Sequence, residues 1–161
     1  MNAFNKLLLR GSVVLLGISA AYGHDSRYQP VPQLQGVWLT QVFIRDCVSG
    51  ANLAGPFAGI LSFQSGGTVS ETGPSLPNST RGAGYGTWWR TGRTTFAQAL
   101  TFQRFDVTGI YLGTQVIRGT PKVSNDSMSF VAEGGSFEVK DTRGTTLGAP
   151  GCSYATGARF R

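Results

Sequence analysis

The sequence predicts an all-β protein, an antiparallel up-and-down β-barrel of about eight strands that follows an N-terminal signal peptide. Three observations predict it. Short apolar-rich runs recur along the chain, separated by clusters of Gly, Asn, Asp and Ser, residues that tolerate turn conformations. Beyond the first residues no window carries a helical period, and the 23 glycines disfavour long helices. Two cysteines, Cys47 and Cys152, stand near the two ends of what remains. An even count in an exported chain favours a disulfide, and this one would tie the first strand region to the last. A sheet stitched in that way closes on itself and loses the exposed edges of a meander.

Residues 1–23 read as the signal peptide. Lys6 and Arg10 are its positive region, Gly11 to Ala20 its apolar core, and Ala21-Tyr22-Gly23 a small-x-small cleavage site. The apolar core is too short to cross a bilayer, so no integral membrane span is expected after cleavage. Removing these residues from the 161 leaves 138, enough for one domain with one core. Localisation is expected to be secreted or periplasmic. Without Lys6 and Arg10 the chain carries 12 basic and 8 acidic residues. The basic ones are scattered singly, whereas a nucleic-acid partner would need them clustered on one face.

Residues 24–35, "HDSRYQPVPQLQ", have no apolar periodicity and read as an extended lead-in to a single barrel domain over 36–161. Strand-like runs follow in order: "GVWLTQVFIRDC", "FAGILSFQ", "TVSETG", "YGTWWRT", "TTFAQALTFQRFDV", "IYLGTQVIRGTPKV", "SMSFVAEGGSF", "FEVKDT" and "SYATGARFR". The one long break, "GPSLPNSTRGAG" over 73–84, reads as a loop at a barrel mouth, and its Asn78-Ser79-Thr80 as a chance sequon.

Neighbouring side chains on a strand point to opposite faces. Phe96, Gln98, Leu100, Phe102 and Arg104 therefore share one face, large and apolar with a polar interruption, which suits the inside of a barrel. Phe57, Gly59, Leu61 and Phe63 read the same way. Either Ile110, Leu112, Thr114 and Val116 or Tyr111, Gly113, Gln115 and Ile117 could line the lumen. Of the adjacent Trp88 and Trp89, Trp88 is expected inside, because Gly86 on the same face leaves room beside it. Periodicity alone does not choose between them, since a one-residue slip exchanges the two.

Gly36-Val37-Trp38 on the first strand, with an arginine on or after the last (Arg159 or Arg161), resembles the lipocalin and wider calycin group. The resemblance implies that Trp38 plugs one end of the barrel and that the guanidinium packs on its ring. The whole mature chain is also similar to bacterial exported lipocalin-like proteins of unassigned activity. The shared features are "LSFQSGGTVSET", "GYGTWW", "TFQRFD", a strand with Gly-Thr at 113–114 and 119–120, and Gly151-Cys152.

The chemistry left to such a barrel is narrow. His24 is the single histidine, so neither a Ser-His-Asp triad nor a multi-histidine zinc site is available, and no metal or cofactor is expected. The leading expectation is a barrel that binds a small hydrophobic molecule in a lumen formed by Trp38, Phe57, Leu61, Phe63, Trp88, Phe96, Leu100 and Phe102. The alternative is a cofactor-independent cyclase or isomerase, with Glu71, Asp106, Arg104 or Arg118 as acid, base or anion holder. That alternative requires at least one carboxylate inside the cavity.

Overall fold

The computed structural model describes residues 33–73 and 79–161, so the signal-peptide, His24 and Asn78 expectations lie outside it. The strands are β1 (Gly36–Arg45), β2 (Asn52–Phe63), β3 (Thr68–Thr72), β4 (Ser79–Arg81), β5 (Gly84–Arg90), β6 (Phe96–Asp106), β7 (Tyr111–Val123), β8 (Ser129–Lys140) and β9 (Thr146–Arg159). All pairings are antiparallel. β1 pairs with β2 on one side and β9 on the other, while β6 pairs with both β5 and β7. The sheet therefore closes into an eight-stranded barrel. The short β4 continues the line of β5 along the far end of β6. No helix occurs among the described residues, and none long and apolar enough to cross a membrane.

Two segments depart from the sequence expectation. Part of the long break at 73–84 is the strand β4, bonded to β6 through Ser79↔Asp106, Thr80↔Phe105 and Arg81↔Arg104. Three residues are too few to carry a period, so nothing in "STR" announced it. The runs "SMSFVAEGGSF" and "FEVKDT" are one strand, β8, with a bulge where Ala132 pairs Ala155 and Gly135 pairs Ser153. The extra residue reverses the alternation, so Ala132 and Gly135 both face inward.

Cys47 and Cys152 are joined by a disulfide, Cα–Cα 5.2 Å, just past the Arg45↔Cys152 pair of β1 and β9. It lies at the end of the barrel opposite the filled one.

That filled end holds most of the core. Leu34, Trp38, Phe63, Val69, Phe96 and Phe130 are fully buried there. Trp38 meets Phe130 edge-on at 5.1 Å, and Trp88 lies 5.9 Å from Phe63 and 5.8 Å from Phe96. Each indole N–H finds an acceptor: Trp38 donates to the Leu34 carbonyl at 2.7 Å and Trp88 to the Gln64 carbonyl at 3.0 Å. Trp88 is the inward tryptophan, and Trp89 lies outside, 52% exposed.

Arg159, not Arg161, closes this end. Its guanidinium sits 4.3 Å over the Trp38 ring and donates to the carbonyls of Ser127, Gln35 and Gln33. Gly36 makes this arrangement possible. Its φ of +127° suits glycine alone, and a side chain there would collide with the Arg159 guanidinium.

Candidate functional site

Above the filled end the barrel is hollow. An eight-stranded barrel is just wide enough for its own side chains to fill it or for one small ligand to enter. Here the inward positions of several strands are small, among them Gly59, Gly119, Ala132, Gly135, Ser153 and Ala155. The space they leave is a cavity of about 140 Å³, walled chiefly by Val42, Phe57, Leu61, Leu100, Phe102 and Ile117.

One ion pair crosses it. β3 carries Glu71 inward because its register pairs Glu71 with Leu61, and β4 delivers Arg81. The Arg81 Nη2 donates to Glu71 Oε2, and both side chains are only 13% exposed. The Arg81 guanidinium also lies 3.5 Å over the Phe102 ring. Burial pushes the Glu71 carboxyl above its ordinary range, and the attraction of Arg81 only partly opposes this. Arg104, opposite Arg81 in the β4–β6 register, lines the same cavity and forms no ion pair among the described residues. Among the described residues the lumen thus sets Arg81 and Arg104 against the single carboxylate of Glu71.

Two buried polar side chains stand among the described residues, Thr40 at 4% exposure and Gln98 at 8%, and both line the cavity. Gln98 marks its floor, one inward position above Phe96 on β6. Its Oε1 has no hydrogen-bond partner.

The expected lumen residues divide by height. Phe57, Leu61, Leu100 and Phe102 line the cavity, whereas Trp38, Phe63, Trp88 and Phe96 belong to the packed end beneath it. On β7 it is Gln115, Ile117 and Gly119 that look inward.

The four charged candidates part company too. Glu71 and Arg104 are in the cavity. Arg118 touches its wall, but its guanidinium is half exposed and donates to Glu138 at 2.8 Å. Asp106 is a turn residue outside the lumen. Its Oδ1 accepts from the Thr108 hydroxyl at 2.7 Å and from the N–H groups of Ile110 and Thr108 at 2.8 Å. Those bonds hold its pKa below the ordinary carboxylate range.

Asp46 and Asp141 stabilise their hairpins in the same fashion, so the acidic residues of "RDCVS" and "KDTRGT" are also structural. The signal was present in the sequence: aspartate two residues before a turn amide, with glycine close by. Arg81 carries no such signal, because its strand of three residues has no period to display.

No protein-family model matches the chain, and no curated protein sequence is detectably similar to it.

Proposed function

We propose that this chain is an exported, lipocalin-like barrel that binds a small, largely apolar molecule in its lumen. The observation that carries the reading is the cavity: about 140 Å³ of space walled chiefly by aliphatic and aromatic side chains, with the Glu71–Arg81 pair, Arg104 and Gln98 among them. An apolar void of about 150 Å³ accepts a benzene-sized guest in a protein interior, which sets the scale of what fits. The Gly36–Trp38–Arg159 closure supports the likeness to the lipocalin and calycin group. The disulfide and the leader-like residues 1–23 support a secreted or periplasmic location.

The test is a titration of intrinsic tryptophan fluorescence with single-ring compounds, run beside Ala155→Phe, whose larger side chain would occupy the lumen. Saturable binding by the native protein, absent from a folded Ala155→Phe variant, is the expected result. Equal responses of the two proteins would refute the reading.

A second reading is favoured by one observation, the carboxyl of Glu71 inside the cavity with its proton affinity raised. A cofactor-independent cyclase or isomerase would use Glu71 to move a proton and Arg104 to hold the developing anion. Recovering the bound molecule as an isomer, and unchanged from Glu71→Gln, would select this reading. Recovery of unchanged ligand from the native protein would remove it.

A further inference from the structure

The floor of the cavity carries a polar group of its own. On β6 the inward residues run Phe96, Gln98, Leu100 and Phe102, so a carboxamide interrupts a stripe that a leucine would continue. Burying an amide without a partner costs on the order of 1–3 kcal/mol, and most buried polar groups are satisfied for that reason. Gln98 is only 8% exposed, yet its Oε1 is buried without a hydrogen-bond partner. The Glu71–Arg81 pair, by contrast, is satisfied within itself.

The surroundings leave the amide uncovered from one side. Its cross-strand neighbour on β7 is Gly119, where even a Cβ would stand 3.4 Å from Gln98 Nε2. Its neighbour on β5 is Trp88, whose indole N–H is already given to Gln64. Thr40, the other buried polar side chain, also faces the cavity. A deep amide beneath a largely apolar cavity is the arrangement of a site that reads one polar group on an otherwise apolar guest.

We infer that the molecule held in the lumen is polar-headed: a small ring or short chain whose hydroxyl docks on the Gln98 carboxamide at the cavity floor. This rests on the reading of the lumen as a binding site. A hydroxyl suits the position because it can both donate and accept. The two amide atoms exchange places by a half-turn of the group, so either partner can be presented. A carboxamide left unpaired by a plain hydrocarbon would count against that guest, and this is what makes such sites selective.

The experiment compares p-cresol with toluene, which differ by one hydroxyl, by chemical-shift titration of the native protein, Gln98→Leu and Gln98→Met. The native protein is expected to bind p-cresol roughly tenfold more tightly, the worth of one net hydrogen bond of about 1.4 kcal/mol. Both variants are expected to lose that preference and favour toluene, since a hydroxyl entering an apolar pocket leaves its water bonds unreplaced. Methionine keeps the length of the side chain, so a packing change peculiar to leucine would show as a difference between the variants. If both compounds bind the native protein equally, or toluene binds better, the inference is overturned while the binding reading stands. If neither binds, both fall together.

Discussion

Glu71 is a carboxyl held between two opposing influences, burial that favours its neutral form and Arg81 that favours its charged one. Burial is the larger, so the folded pKa lies above its ordinary value of 4.5. The folded chain then binds this proton more readily than the unfolded chain. The stability that Glu71 contributes is complete below the unfolded value and is lost as pH rises through the raised folded one. Glu71→Gln cannot titrate there. In urea unfolding the native protein should lose ground to Glu71→Gln as pH rises above 4.5, and parallel pH profiles would contradict the placement of this side chain.

Arg159 offers a second test at this scale. Its guanidinium joins three carbonyls and one indole, and a single lysine amine cannot reproduce that planar fork. Arg159→Ala should cost about 3 kcal/mol of unfolding free energy, with Arg159→Lys recovering only part of it.

The strands show where sequence reasoning succeeded and where it stopped. The inward stripes of β2 and β6 were legible because alternation runs unbroken from Phe57 to Phe63 and from Phe96 to Arg104. On β8 the bulge beside Gly134 reverses the alternation, and one strand read as two. The site was half legible for a related reason. Leu61, Leu100 and Phe102 lie on long periodic strands, but Arg81 sits on a strand of three residues and its partner is fixed only by tertiary register. The height at which the core gives way to open space depends on small residues drawn from several strands, which no single run displays.

β5 is seated tightly against β6 at Gly86. A Cβ on Gly86 would drive into the Ala99 carbonyl and stand 2.5 Å from the Leu100 Cα, so the backbone itself would have to move. Gly86→Ala should destabilise the protein by about 2 kcal/mol or more in the same unfolding assay, and a neutral result would contradict the β5–β6 pairing.

At the scale of the molecule, the disulfide spans 105 residues and fastens β1 to β9 at the open end, where little core supports the seam. In the chain-entropy account a loop of that size is worth about 4 to 5 kcal/mol. The Cys47→Ser/Cys152→Ser double variant should lose that much stability while keeping a β-sheet circular dichroism spectrum, since the filled end contains neither cysteine. Loss of the spectrum under native conditions would show instead that the barrel does not close without the bridge.

The filled half and the hollow half of the barrel together make one claim, that the space above Gln98 exists to be occupied. A crystal structure of the purified protein grown with p-cresol tests it most directly. The account predicts one ring between Leu61, Leu100 and Phe102 with its hydroxyl toward Gln98. A lumen collapsed onto its own side chains, or a ring bound only on the outer face, would contradict it.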